Sequence, residues 1–276
     1  MSQYNLKLAK YIINLYNQRI MIGVIGLGLI GGSIFKSLTA LGYEVCAVSN
    51  SMQGILPNIT ADYETLKDCD IIFVCSAMNK TLGILDKLEN IVSPSTIVTD
   101  VCSLKTFVCQ KERPYIFIPS HPMAGTEQRG FENSFDGLFQ GAKWVITPVF
   151  KTPKDARERL ENLIKEMGAE IVTTTPKDHD TAVALISHMP MVVSQALFLA
   201  ASENKLAMEI AASGFRDMTR LAMSNEEMAC DMVNMNAENI QNAILHLYKS
   251  LGELTSKDYP EIIREIKSKR SEMFIR

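Results

Sequence analysis

Three glycines spaced as G-x-G-x-x-G constrain the fold of this chain more than any other feature. They follow an apolar run that predicts a strand over 21–25, and they open a helical pattern over 31–41. In such a setting the first glycine permits a tight turn, the second lets a pyrophosphate approach, and the third lets the helix pack on the strand. The loop therefore predicts a dinucleotide-binding site, formed by Gly26, Leu27, Gly28, Leu29, Ile30 and Gly31.

Strands alternate with helices in the first part of the sequence. Several further apolar runs predict strands, and helical patterns separate some of them. This alternation is typical of a mostly parallel, doubly wound α/β sheet of the Rossmann type. The predicted strands are 21–25, 43–48, 71–75, 96–99, 116–119, 144–147 and 170–174, and the last helix among them is 154–167.

The pattern changes after Pro176, where no strand is predicted and helical periodicity continues nearly to the end of the sequence. In 225–254, apolar residues recur at spacings of three, four and seven, which marks one face of a helix. We therefore place a domain boundary near residue 175. The predicted organisation is a short helical leader (1–18), a dinucleotide-binding domain (19–175) and an all-helical domain (176–276).

Charge and cysteine content narrow the protein class. The formal net charge of −3 gives no electrostatic reason to expect nucleic acid as a partner. The six cysteines show no C-x-x-C spacing and are typical of reduced thiols in a cytosolic protein. Residues 181–202 are long and apolar enough to span a membrane, but His188, Gln195 and acidic flanks favour a helix buried in a core or dimer interface. We expect a soluble, cytoplasmic protein.

The end of the second predicted strand bears on cofactor choice. An NAD site usually has an acidic residue here, about twenty positions after the glycine loop, which accepts from the ribose 2′-OH. This chain has Ser49, Asn50 and Ser51 instead, with no arginine nearby. A 2′-phosphate would therefore meet donors and no repulsive carboxylate. We predict that NADP is accepted and weakly favoured, that NAD is also used, and that Ser76 at the end of the strand 71–75 completes the cofactor site.

A second segment, S-H-P-M-A-G-T-E at 120–127, predicts a catalytic base. Its histidine follows the predicted strand 116–119, and open α/β sheets bind ligands at strand ends. With four histidines in the chain, few side chains can act as a base near pH 7. We predict that His121 takes a proton from a substrate hydroxyl while the cofactor takes a hydride. A structural histidine with a satisfied hydrogen bond is the alternative.

The motif D-V-C-S-L-K at 100–105 ends another predicted strand. Its Ser103 could hydrogen-bond the imidazole of His121 and fix the tautomer of the ring. Alternatively, Ser103 caps a helix that begins at this point. The two roles are compatible.

Five motifs in this order resemble the prephenate/arogenate dehydrogenase family of tyrosine biosynthesis. The resemblance covers roughly residues 20–255. It implies a Rossmann domain followed by an all-helical domain that forms a homodimer, here through 176–276. The motifs are G-L-G-L-I-G-G-S, D-V-C-S-L-K, H-P-M-A-G-T-E, I-S-H-M-P and G-F-R-D-M-T-R-L-A.

The resemblance also implies roles for single residues. His121 matches the histidine that bonds the substrate ring hydroxyl and accepts its proton, and Ser103 matches the serine that orients it. Arg220 matches the arginine that holds a substrate carboxylate, with Arg216 on the same face if this segment is helical. For Arg216, a surface pairing with Asp217 is the alternative. Also implied at the substrate pocket are His188, Glu127 and, in the same turn, Thr126.

The implied reaction is the oxidative decarboxylation of prephenate to 4-hydroxyphenylpyruvate, with hydride transfer to NAD(P)+. Conversion of arogenate to tyrosine is the alternative, and the sequence does not decide between them. No metal is implied, and the sequence has no cluster of metal ligands. A β-hydroxyacid or imine reductase and a non-catalytic dinucleotide sensor are more distant alternatives.

Two positions depart from the family pattern. Met191 stands where the family often has a second histidine, and Ser76-Ala77-Met78 stands where many members have a proline. Because the chain ends at Arg276, we expect no C-terminal regulatory module. Any sensitivity to tyrosine would then act at the active site itself.

Overall fold

The structure is a computed structural model that describes residues 20–126, 128–149, 152–256 and 258–273. The predicted helical leader and the predicted pocket residue Glu127 lie outside the described residues. The chain forms two compact units. The first contains the described residues up to Ala182 together with Met223–Met235, and the second contains Val183–Ala222 and the residues from Asn236 onward.

Six strands form the main sheet of the first unit in the order β3-β2-β1-β4-β5-β6. Every neighbouring pair is parallel. This is the strand order of the Rossmann fold, so the predicted fold class is confirmed. The predicted strand ends agree with the observed ones to within two residues. The strands are β1 Met21–Ile25, β2 Glu44–Val48, β3 Ile59–Thr60, β4 Ile71–Val74, β5 Ile97–Asp100 and β6 Ile116–Phe117.

Both faces of this sheet are covered, which explains why its strands are continuous apolar runs. Successive side chains of a strand point to opposite faces. In β4, Phe73 joins the core cluster on one face, while Ile72 and Val74 join the cluster on the other. The helices α1 (Leu29–Ala40) and α3 (Lys154–Glu166) complete the first cluster, and α2 (Met78–Leu88) completes the second.

The glycine loop joins β1 to α1, and its geometry excludes side chains at two positions. Gly26 has a φ of +87°, and a Cβ there would lie 2.6 Å from the carbonyl oxygen of Cys75. A Cβ at Gly31 would lie 1.9 Å from the carbonyl oxygen of Gly26. A Cβ at Gly28 would have no neighbour within 4 Å, so this side of the loop is open to a ligand. Gly28 is also the N-cap of α1 and offers no side chain to its first amides.

A second sheet of three strands corrects the prediction of one sheet. Its strands are β7 (Ser120–Pro122), β8 (Lys143–Ile146) and β9 (Glu170–Thr173). β7 runs antiparallel to β8, and β9 runs parallel to it. The predicted strand 116–119 is longer than the observed β6, which ends at Phe117, and the carbonyl of Pro119 already accepts the amide of Thr147, directly after β8, at 3.0 Å. The chain then pairs again from Ser120 onward, with a new partner.

The second unit is helical. The helix that starts at Pro176 changes to π geometry over Ala184–His188, where the amide of Met189 donates to the carbonyl of Ala184, and then continues to Ser202. Ala184 packs against Ile240 in a small apolar core. The remaining helices are α4 Pro176–Val183 (in the first unit up to Ala182), α5 Met189–Ser202, α6 Lys205–Glu209, α7 Ser213–Met218, α8 Glu226–Met235 (in the first unit), α9 Ala237–Ser256 and α10 Tyr259–Met273.

The helix over Pro176–Ser202 has the length and hydropathy of a membrane span, and among the described residues it is the one helix that does. The core helices of soluble proteins can have the same length and hydropathy. It exposes Ile186, Phe198 and Leu199 on the single chain. The expectation that a dimer interface covers this surface stays a prediction.

Candidate active site

His121 lies in β7, near the carboxyl end of the main sheet. Its backbone is opposite Val145 of β8 in the antiparallel ladder. The preceding residue, Ser120, is tied to the end of β5, because its hydroxyl lies 2.8 Å from the Thr99 hydroxyl and 2.9 Å from the Asp100 carbonyl oxygen. The imidazole is half-buried. This places a titratable ring at the edge of a Rossmann sheet where ligands bind.

A buried ion pair fixes the base of this site. Asp100 and Lys105 are both fully buried, and their side chains are paired. Lys105 Nζ also donates to the Ser120 carbonyl oxygen at 2.6 Å, and the amide of Cys102 donates to the Asp100 carboxylate at 3.0 Å. Trp144 Nε1 donates to the Ser120 hydroxyl at 2.9 Å. The residue before His121 is therefore held by several buried hydrogen bonds at once.

A second histidine contacts the first. His121 Nδ1 lies 3.0 Å from His179 Nε2, and the two rings meet edge to face with their centroids 5.2 Å apart. His179 Nδ1 in turn lies 2.8 Å from an oxygen of Asp180. The same carboxylate accepts the amides of Lys105 and Thr106 at 2.8 and 2.9 Å. Both His179 and Asp180 are buried.

The electrostatics of Asp180 follow from these contacts. Burial alone would raise the pKa of its carboxyl group, since a charge is costly to bury. The hydrogen bonds from His179, Thr106 and Lys105 outweigh burial, and the pKa of Asp180 lies below its usual value. Asp180 is therefore an anion near neutral pH, which favours a proton on the ring nitrogen of His179 that faces it.

Two other residues predicted to belong to this site, Ser103 and Thr126, differ in their exposure to solvent. Ser103 is half-buried just after Cys102. The helix that it was predicted to cap is not formed, because the chain makes turns over 106–109. Its predicted hydrogen bond to His121 stays a prediction. Thr126 is exposed, and its hydroxyl accepts the amide of Gln128 at 3.2 Å.

The predicted substrate residues of the helical part lie in the second unit. His188 is buried at the end of the π-helical turn, with Nδ1 3.2 Å from Asn236 Nδ2. Arg216 is exposed and pairs with Asp217 at 3.5 Å, the alternative weighed from the sequence. It does not share a helix with Arg220, because α7 ends at Met218 and Arg220 begins a separate 3-10 turn. Their roles in substrate binding stay predictions.

Met191 occupies the position where the family often has a histidine. It is buried, with 3% of its surface exposed. Its side chain therefore serves packing within the second unit. To contact a polar ligand, the Met191 side chain would have to leave this buried position.

The predicted cofactor residues gather at the carboxyl ends of β1, β2 and β4. Leu27 is buried, while Leu29 and Ile30 are half-buried. Ser49 is buried, with its hydroxyl 3.4 Å from that of Ser51 and its amide donating to the Thr60 carbonyl at 2.8 Å.

The other two residues of this set follow β2 and β4. Asn50 is exposed, and the half-buried Ser76 has its hydroxyl 3.0 Å from that of Thr81. An open loop with uncapped amides, flanked by hydroxyl and amide groups, has the donors that a dinucleotide phosphate needs.

Sequence reasoning missed four polar residues of this site: Asp100, Lys105, His179 and Asp180. The first two belong to the motif D-V-C-S-L-K, from which only the serine was chosen. His179 and Asp180 had a usable indication, since His179 is one of only four histidines and has an acidic residue on each side. The contact that gives His179 its place spans 58 positions of the chain.

Two domain profiles of one protein family match most of the chain. Residues 42–173 match the profile of the prephenate dehydrogenase nucleotide-binding domain, and residues 175–275 match that of the prephenate dehydrogenase dimerization domain. A prephenate dehydrogenase of Bacillus subtilis is 32% identical over 236 residues, which are 78% of this chain and 64% of that protein. The match thus spans just under two thirds of the Bacillus enzyme.

Two solved structures have the same fold over more than nine tenths of the chain. The arogenate dehydrogenase of Synechocystis gives a TM-score of 0.79 at 32% identity and covers 92% of this chain and 99% of its own. The prephenate dehydrogenase of A. aeolicus, in complex with hydroxyphenyl propionate and NAD+, gives 0.82 at 28% identity and covers 93% and 99%. With both domain profiles matched in order, this chain belongs to the prephenate dehydrogenase family.

Proposed function

We propose that this protein is a nicotinamide-dependent prephenate dehydrogenase, which converts prephenate to 4-hydroxyphenylpyruvate and carbon dioxide. The observation that carries the proposal is the half-buried His121, fixed at the edge of a Rossmann sheet by buried hydrogen bonds. Family membership supports the substrate class. Arogenate is the second candidate, because an arogenate dehydrogenase is among the similar structures.

The chemistry needs one base and no metal. His121 takes the proton of the ring hydroxyl, the C–H electron pair of the same carbon leaves as a hydride, and the bond to the ring carboxylate breaks to release carbon dioxide. The electrons of that bond complete the aromatic ring, which supplies the driving force, and leave its oxygen as a phenolate that takes the proton back from His121 to give the 4-hydroxyl group. When bound, the nicotinamide accepts the hydride. The task of the protein is to hold His121 as a neutral acceptor and to keep the reacting carbon in line.

The residues of the glycine loop fit a dinucleotide. The open side of the loop at Gly28 gives room for a pyrophosphate, and the uncapped amides of α1 supply donors to it. Ser49, Asn50 and Ser76 would complete the site. Because no carboxylate follows β2 directly, we infer that NADP is accepted and weakly favoured, with NAD also used.

On the substrate side, we assign Arg220 to a carboxylate of the substrate, since a guanidinium donates two parallel hydrogen bonds to such a group. His188, Arg216, Thr126 and Glu127 are also assigned to substrate binding. Ser103 is assigned to orienting His121. These assignments rest on the family motifs at the same positions.

We further propose a cytoplasmic homodimer. The dimerization-domain match over 175–275 supports the assembly, and so does the apolar surface of the second unit. Leu199 is 69% exposed and Leu245 is 64% exposed on the single chain. Such side chains are commonly buried where protomers meet.

A two-by-two rate matrix tests the function: prephenate and arogenate, each with NAD+ and NADP+. Reduced nicotinamide is followed by absorbance, and the aromatic product is identified by mass. We expect the highest kcat/KM with prephenate. A faster rate with arogenate would favour the second candidate, and cofactor binding without turnover of either would contradict both.

His121→Asn is the matched variant for this assay. It keeps a polar side chain of similar size at the same place but removes the base. We expect unchanged cofactor binding and a kcat lower by ~10²–10⁴, the usual contribution of a positioned general base. Near-full activity of this variant would remove His121 from the mechanism.

A further inference from the structure

The geometry points to a relay in which Asp180 acts through His179 to set the tautomer of His121, and so makes His121 Nε2 the proton acceptor. His179 and Asp180 are positioning residues in this scheme, since they act through His121 and do not touch the substrate. The inference rests on the proposed function for its catalytic meaning. The tautomer itself is a property of the protein without substrate.

The relay starts at a fixed anion. One oxygen of Asp180 accepts the amide of Lys105, and the other accepts the amide of Thr106. Two backbone donors hold the carboxylate in place and favour its charged form. An ionised carboxylate can only accept hydrogen bonds. At 2.8 Å from this carboxylate, His179 Nδ1 must therefore carry the proton.

The proton on Nδ1 decides the other nitrogen of the same ring. In a neutral imidazole one nitrogen donates and the other accepts. His179 Nε2 is then the acceptor, and its partner at 3.0 Å is His121 Nδ1. That nitrogen must donate, so His121 carries its proton on Nδ1. The lone pair of the His121 ring is left on Nε2.

The same chain of bonds stabilises the product of proton uptake. When His121 Nε2 takes a proton, the ring becomes a cation whose Nδ1–H still points at His179. The Nδ1–H of His179 is bonded to the Asp180 anion, which makes His179 Nε2 a stronger acceptor for the His121 cation. The charge of Asp180 acts on His121 across this one ring. His179 is buried and His121 is half-buried, so water screens the inner part of the relay little.

One competing arrangement would give the opposite result. If His179 were doubly protonated, both of its nitrogens would donate and His121 Nδ1 would have to accept. His121 would then carry its proton on Nε2 and could not act as the base from that atom. The two arrangements differ in a directly measurable property, the protonated nitrogen of His121.

The first experiment is nitrogen NMR of the full protein with 15N-labelled histidine, without substrate and at a pH where the rings are neutral. The chain has four histidines, so single substitutions assign each ring. We expect His121 and His179 both as the Nδ1–H tautomer, and a shift of His121 toward Nε2–H in His179→Ala. An Nε2–H tautomer of His121 in the unsubstituted protein would overturn the relay. This reading does not depend on which substrate the enzyme uses.

The second experiment compares Asp180→Asn with Asp178→Asn. Asp178 is exposed on the same helix, and its contact to the Thr175 hydroxyl survives in an amide. We expect Asp180→Asn to lower kcat by about 10²-fold with KM little changed, at the lower end of the contribution of a general base, because the His179 ring separates Asp180 from His121. Loss of the anion should also lower the pKa of the base, so the acid limb of the kcat/KM profile moves to lower pH. Asp178→Asn should leave both unchanged.

A structural role would give a different pattern. It would lower the amount of folded enzyme, or raise KM, without moving the acid limb, and that result would overturn the relay. Should Asp180→Asn fail to fold, His179→Gln gives the same test. Its amide oxygen can still accept from His121 Nδ1, so it should retain more activity than His179→Ala. Equal activity of those two variants would count against the relay.

Discussion

Substitution of Lys105 by methionine should be one of the most destabilising single changes in this protein. Lys105 and Asp100 are both fully buried, and methionine has similar length without the charge. The change leaves the Asp100 carboxylate without its cation, and the Ser120 carbonyl without the Nζ donor. Breaking a buried ion pair by removing one partner costs about 3–5 kcal/mol. Since each kcal/mol shifts the melting temperature of a domain of this size by roughly 2–4 °C, a cost of about 4 kcal/mol lowers Tm by roughly 8–16 °C.

Thermal unfolding followed by circular dichroism measures this loss. Lys143→Met is the control, because Lys143 pairs with Glu170 on the surface, where both side chains are more than half exposed. That pair should contribute less than about 1 kcal/mol. The double variant Asp100→Asn with Lys105→Met removes the unpaired charge and should recover much of the loss. If Lys105→Met melted within a few degrees of the control, or if the double variant recovered nothing, the reasoning would be refuted.

Three further outcomes follow from the proposed function. Arg220→Ala should raise KM and lower kcat/KM by a factor that corresponds to ~2–5 kcal/mol, because a substrate carboxylate loses its partner. Arg220→Lys should restore only part of the lost kcat/KM. An unchanged KM with lost stability would show a structural arginine. Ser49→Asp should shift the kcat/KM ratio toward NAD about ten-fold, or ~1.4 kcal/mol, whereas a native enzyme that ignored NADP would contradict our interpretation of this loop. Light scattering at micromolar concentration should give the mass of a dimer, and a monomer would refute assembly through 176–276.

The sequence predicted the main sheet well because its strands are buried on both faces. Continuous apolar runs followed by glycines or helical patterns leave little ambiguity, and β1 with its glycine loop is the clearest case. β3 was missed because two residues carry no periodicity. The second sheet was missed for another reason. Its first strand, β7, starts at Ser120, directly after the predicted strand 116–119, and its antiparallel pairing with β8 is a long-range contact that no local pattern indicates.

The candidate site was predictable where a residue stands in a recognisable local motif. His121 belongs to such a motif. His179 and Asp180 do not, because their partners, His121 in β7 and the amide of Lys105, are distant in sequence and the contacts depend on how the chain folds back. Arg216 and Arg220 show the limit of spacing arguments. A spacing of four positions would place the two arginines on one face of a helix. The helix ends at Met218, however, and the hydroxyl of the next residue, Thr219, donates to the Phe215 carbonyl.

The π-helical turn at Ala184–His188 affects how sequences of this family should be aligned. Val183 and His188 are both buried although they are five positions apart, and five is the spacing of a π turn. In a regular α-helix, side chains four positions apart lie on the same face. One residue fewer would then be enough to bring the same two side chains inward. A relative that lacks one residue here would therefore show a gap inside a helix, where gaps are usually penalised. Forcing an ungapped alignment would displace the histidine of I-S-H-M-P by one position and mispair every residue up to the next loop.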